Sequence, residues 1–219
     1  MALYNTWRGF SDELDLLVVE FEKIAIEVAA PVSKSSFNLL SECALEGLTS
    51  RTWQAWCLFC RACVIESCLG TRDGNGAVIA PHPSAASCLH VSAAAIEAKK
   101  RKSIVWGGQN SILRFEPTWG DTDALADIVP RLRPMNHVQL SSAFSSAHAS
   151  AKTLQKIRNA AAHSHAQNLA EVVSLTSSYL AYPIDHSTHA LFWVDPASSE
   201  YLLINLIEDL RDCALSAIS

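Results

Sequence analysis

Between Arg51 and Leu69, apolar side chains run nearly all the way round a helix: Trp53, Trp56, Leu58, Phe59, Val64 and Ile65 leave little surface for water. A helix without a polar face has to be enclosed by others, so this stretch marks the centre of the fold and the remaining chain supplies its walls. Ser50 stands before it as a cap and Gly70 after it as a stop. Upstream, Ser11-Asp12-Glu13 reads as a helix start, followed at helical spacing by Leu14, Leu17, Val18, Phe21, Ile24, Ala25 and Val28, with Pro31 closing the element. A shorter helix is expected from Phe37 to Leu48.

From Thr71 to Ser87 the chain turns to loop chemistry, with Asp73-Gly74-Asn75-Gly76 and Pro81-His82-Pro83-Ser84. An alanine-rich helix is expected from Cys88 to Lys102, then a long loop from Ser103 to Asp121 that carries Gly107-Gly108 and Glu116-Pro117-Thr118-Trp119. Thr122 opens a helix cut by Pro130, and Pro134 marks a further break. Phe144 to Tyr182 reads as helical up to Pro183, Ala190 to Val194 as a short strand or an apolar loop, and Ser198 to Ile218 as a last amphipathic helix. The expected fold is all-α, one domain over residues 1–219, a helical bundle of five to seven helices with a looped insertion around residues 71–121.

Hydrophobic residues make up 49% of the chain and charged ones 18%, so part of the apolar surface is expected to be buried against a second copy in a homodimer. No stretch approaches the uninterrupted apolar length of a membrane span, and the first residues lack the basic-then-apolar pattern of a signal peptide, which gives a cytoplasmic reading with no membrane. A net charge of −5 argues against a general nucleic-acid coat and leaves room for a small basic cleft. The seven cysteines read as reduced thiols used as small hydrophobes. Cys57, Cys60 and Cys63 would fan over about 240° of a helix and so do not converge on a zinc ion. No metal or other cofactor is expected.

The chemistry concentrates in Arg158-Asn159-Ala160-Ala161-Ala162-His163. Arginine offers a fixed charge and a fork matched to phosphate oxygens, and histidine exchanges protons near neutrality. On a straight helix Arg158 and His163 stand about 140° apart, whereas Asn159 and His163 share a face. Two copies meeting across a twofold axis clamp a phosphate more readily than one.

This stretch resembles the R-x4-6-H signature of the HEPN superfamily, in its form arginine, asparagine, three variable residues, histidine. The looped insertion and Glu116-Pro117-Thr118-Trp119 extend the resemblance toward the RiboL-PSP type of bacterial HEPN protein. The resemblance implies a dimeric helical bundle that cuts RNA without a metal, in toxin–antitoxin or phage-defence settings, with an antitoxin or regulatory protein as a possible partner. It assigns His163 as general base or acid, Arg158 to the charge on the phosphoryl oxygens, and Asn159 to orienting the histidine or holding the backbone. The implied products are a 2′,3′-cyclic phosphate and a 5′-hydroxyl. Where HEPN toxins with a nucleotidyltransferase antitoxin carry a modifiable tyrosine, this chain has His165, which speaks against that route of inactivation. The alternative reading is a non-catalytic HEPN module that binds nucleotide or RNA or scaffolds a complex.

Around the motif, Lys152 and Lys156 lie one turn apart and are candidates to line the same cleft, and His165 is a second candidate phosphate contact. Glu66, a lone acid in an apolar run, is either a buried partner for Arg158 or a solvated edge residue. Lys99-Lys100-Arg101-Lys102 reads as a solvated helix end, and Trp119 as an anchor of its loop. The spread of His82, His90, His186 and His189 shows no metal-ligand spacing.

Overall fold

The chain is all-α in a computed structural model that describes residues 2–28, 32–107, 113–163 and 165–219. Pro31, expected to close the first helix, and Gly108 of the Gly107-Gly108 pair lie outside the described residues. The helices are α1 (Leu3–Val28), α2 (Leu39–Leu69), α3 (Cys88–Lys99), α4 (Thr122–Leu132), α5 (His137–Ser146), α6 (His148–Ala162), α7 (Ala166–Val173) and α8 (Leu202–Ile218). A short antiparallel hairpin, β1 (Thr71–Arg72) with β2 (Val78–Ile79), follows α2 directly, where a bare loop was expected. Among the described residues no helix is long and apolar enough to cross a membrane.

Several boundaries differ from the sequence reading, each for a local reason. Ser11 does not cap α1: the buried stripe of Leu14, Leu17 and Phe21 continues upstream through Phe10 to Leu3, and Ser11 is interior. The two helices expected on either side of Ser50 are one, because the Thr49 and Thr52 hydroxyls donate to the Leu45 and Leu48 carbonyls at 2.7 and 2.8 Å. Those bonds satisfy inside a helix the side chains that otherwise favour a break. Pro130 does not cut α4: Ile128, Val129 and Leu132 are fully buried and hold the last turn, which ends where Arg133 turns left-handed at φ 49°. The helical run expected from Phe144 to Tyr182 is interrupted at Ala147 and again between α6 and α7, giving eight α-helices among the described residues where five to seven were expected. Residues Ser187–Phe192 form a 3-10 turn, so the strand or loop expected from Ala190 is confined to Trp193 and Val194, the latter in isolated bridges with Leu180 and Tyr201. The last helix begins at Leu202, after Ser199 at φ 64°.

The chain divides into two compact units, with four of the helices running through both. The first comprises residues 1–11, 56–149 and 211–219. Its centre is Trp56, fully buried, which donates Nε1 to the Gly120 carbonyl at 3.1 Å and packs against Phe10, Phe59 and Phe144. Glu116 ties the preceding loop to this unit. It takes both arms of the Arg61 fork at 2.7 and 2.8 Å, Trp119 Nε1 at 2.7 Å, and the Ser92 hydroxyl.

The second unit comprises residues 12–55 and 150–210. Phe21, Phe192 and Tyr201 cluster at its centre, and buried Trp193 donates Nε1 to the Tyr182 carbonyl at 3.2 Å. The inner face of α6 (Ser150, Ala151, Leu154, Ile157 and Ala160) is buried here, which turns its other face outward. All of the Arg158–His163 motif belongs to this unit.

Candidate functional site

The outward face of α6 carries a basic stripe. Lys152, Lys156, Asn159 and His163 follow one another by four, three and four residues, which confines them to about 60° of the helix surface. Leu154 and Ile157 anchor the opposite side, and Ala160 flanks the stripe. Arg158 leaves the helix about 100° from Asn159, yet its Nη1 donates to Asn159 Oδ1 at 3.1 Å, which leans the guanidinium toward the stripe. The separation between Arg158 and His163 expected on a straight helix is thereby reduced. Lys152 holds Gln155 Oε1 at 3.4 Å, within the same turn.

His163 stands just past the last residue of α6, not in its interior as the sequence reading had it. Its N–H still donates to the Asn159 carbonyl at 2.9 Å, so the helical path carries it onto the stripe, and its side chain is exposed. Beyond α6 the His163 carbonyl accepts from His165 N at 2.7 Å and from Asn168 Nδ2 at 2.8 Å. His165 becomes the cap residue of α7 without a side-chain cap bond, and it too is exposed.

Beside the motif lies a cleft of about 270 Å³, bordered by Ala160 of α6, His165, Ala166 and Leu169 at the start of α7, and Asp185 and His186. Behind it is a charged network. His186 donates Nε2 to Glu46 Oε1 at 3.2 Å, while its Nδ1 takes the Thr188 hydroxyl at 2.8 Å, so both ring nitrogens are engaged. His189, 1% exposed, donates Nε2 to Glu42 Oε1 at 3.1 Å and stacks on Phe37 at 4.0 Å. Its Nδ1 lies 3.3 Å from Asp185 Oδ1 without hydrogen-bonding geometry. Burial pushes the His189 pKa below its usual value; the hydrogen bond to Glu42 opposes this, His186 adds to it, and the Glu42 and Asp185 charges oppose it. The Asp185 side chain, 63% exposed at the cleft, therefore meets an imidazole biased toward its neutral form.

Arg158, Asn159, His163, Lys152 and Lys156 share one helix face or lean toward it, and His165 borders the neighbouring cleft. Glu66 falls in a different compact unit from Arg158. It belongs to the first unit, where both carboxylate oxygens lie 3.1 Å from Thr6 Oγ1, and burial raises its pKa against that bond. Trp119, 4% exposed, anchors the loop and offers no face for a base. The sequence reading passed over Asp185 and His186 as site residues, and set His186 and His189 aside for lack of metal-ligand spacing. The usable signal was a pair of intervals: Glu42 and Glu46 four apart on one face of α2, and His186 and His189 three apart. Among the described residues no group of three or more His, Cys, Asp or Glu side chains is placed to hold a metal ion. No family model, curated protein or solved structure matches this chain.

Proposed function

We propose that the protein is a metal-independent endoribonuclease of a bacterial defence or toxin system, with two copies of the Arg158/His163 motif facing each other in a homodimer. The observation that carries this reading is the Arg158–Asn159 bond at 3.1 Å on the same face as His163 and two lysines. It gathers fixed positive charge, a phosphate-matched fork and a proton carrier on one helix face, half-buried at Lys152, Lys156, Arg158 and Asn159 and exposed at His163. In the reaction the ribose 2′-oxygen attacks the adjacent phosphorus and the P–O5′ bond breaks. One His163 takes the 2′-proton, and its counterpart in the second copy protonates the departing 5′-oxygen. Arg158 stabilises the charge on the non-bridging oxygens. DNA, without the 2′-hydroxyl, is not cut by this route. Lys152 and Lys156 extend the stripe along the RNA backbone, and a protein that covers the stripe silences it.

A second reading has its own support. Among the described residues no side chain holds the His163 imidazole, whereas a general base is ordinarily oriented by a neighbour. A non-catalytic RNA- or nucleotide-binding module fits that feature without a second copy. Incubating the purified protein with mixed cellular RNA in EDTA, beside His163→Ala and Arg158→Ala, separates the two. Cleavage by the wild type alone, leaving cyclic-phosphate ends, supports the nuclease. Retained RNA binding by all forms of His163 variant, with no cleavage by any protein, supports the module.

A further inference from the structure

We propose that the cleft between α6, the start of α7 and Asp185 is a base-binding subsite that selects guanine in the RNA beside the phosphate held by Arg158 and His163. The proposal rests on the ribonucleolytic reading above. Its volume, about 270 Å³, falls just under the ~300–1,000 Å³ of sites that enclose whole drug-sized ligands. That is room for one base and not for a longer segment. Ala160, Ala166 and Leu169 give it apolar walls for a ring face, and the His165 and His186 imidazoles border it as further flat surfaces. Ala160 lies inside the motif itself, between Asn159 and His163, so an occupant of the cleft is a near neighbour of the reacting group.

The polar group that decides selectivity is Asp185. Single-stranded RNA is read by hydrogen bonds to the Watson–Crick edges of unstacked bases. A carboxylate has two acceptor oxygens and no donor when ionised. On that edge guanine alone sets two donors side by side, N1–H and the N2 amino group, and these meet a carboxylate two to two. Adenine and cytosine pair one amino donor with a bare ring nitrogen, which repels the second oxygen. Uracil offers a single N–H between two carbonyls. The site is also prepared: the Asp185 side chain is 63% exposed at the cleft, with only its Oδ1 beside buried His189, and the His186 ring is fixed at both nitrogens by Glu46 and Thr188.

The test is calorimetric titration of the full chain with guanosine, adenosine, cytidine and uridine monophosphates, which share the phosphate and differ in the base. Guanosine monophosphate is expected to bind about tenfold or more tightly than the others. Asp185→Asn, which places an amide donor against a guanine donor, should erase that preference. Because Asp185 adjoins His189, Leu169→Trp serves as a second variant: it fills the cleft without touching the network and should abolish the selective binding. Equal affinity for all four, or selective binding that survives both variants, overturns the subsite. Selective guanine binding by a protein that cuts no RNA would count against the nuclease alone. RNA cleavage without guanine selectivity would count against the subsite alone.

Discussion

Arg158 Nη1 donates to Asn159 Oδ1 at 3.1 Å, a bond between consecutive helical side chains that do not ordinarily face each other. Only the length of arginine lets it close, and the fork is held over the face that carries His163. Asn159→Ala should release the guanidinium without unpacking α6, because the buried face of the helix runs through Leu154, Ile157 and Ala160 instead. RNA cleavage should fall about tenfold to a hundredfold, the scale on which small misplacements of a positioning group act. Single-turnover cleavage in EDTA and thermal melts check this together. A large drop in melting temperature with cleavage intact would make the bond structural.

Glu116 gathers the Arg61 fork, Ser92 and Trp119 around a carboxylate whose side chain is 8% exposed. Burial pushes its pKa up, but hydrogen bonds from Arg61, Ser92 and Trp119 outweigh it and hold the carboxyl below its usual range. A depressed acid stabilises the fold above its unfolded pKa, here about 4.5, and that contribution is lost as pH falls through the folded value. Glu116→Gln leaves Arg61 with an uncompensated charge and should cost about 3 kcal/mol at pH 7. Urea unfolding at pH 7 and pH 3 should show the variant and wild type converging at the lower pH.

How much of this was legible in the chain depends on the range of the interaction. The centre of α2 was readable because Trp56, Phe59, Cys60 and Val64 fall on one side of the helix and all are buried, but the helix is not enclosed all round as expected, since Leu58 is 66% exposed. The α2 boundary was not, because Ser50 and Thr49 are typical break residues and only the structure shows Thr49 bonded within its own helix. Arg158 and His163 stood out by type and spacing. The end of α6 at Ala162 did not, since neither glycine nor proline marks it. The His186–Glu46 and His189–Glu42 contacts span 140 and 147 residues, and no local pattern announces pairings of that reach.

The cysteines should divide sharply in reactivity. Cys43 and Cys88 are exposed, whereas Cys60, Cys63 and Cys68 are buried. Burial pushes the Cys68 thiol up to about 12, and burial with neighbouring thiols pushes Cys60 well above its usual value. Thiolate is the reactive form, so these thiols are inert in the fold. Alkylation at pH 8 followed by mass mapping should mark Cys43 and Cys88 first, and Cys60, Cys63 and Cys68 only after denaturation. Early labelling of Cys60 would mean that the first unit opens readily around Trp56.

His189 should make the fold lose stability in mild acid. In the unfolded chain it titrates near 6.5; in the fold burial depresses that value against the pull of Glu42 and Asp185, and His186 adds to the depression. Between the two values the unfolded chain binds a proton that the folded one refuses, so stability rises with pH across this window and is lost as pH falls from about 6.5 toward the folded value. Each pH unit of the window is worth at most about 1.4 kcal/mol. His189→Gln keeps a donor for Glu42 but cannot take up the proton, so its urea midpoint should vary less than wild type between pH 7 and pH 5. Equal slopes for the two proteins would assign the acid sensitivity to another group. A steeper slope in the variant would mean that protonated His189 is held by Glu42 and Asp185 more strongly than burial opposes it.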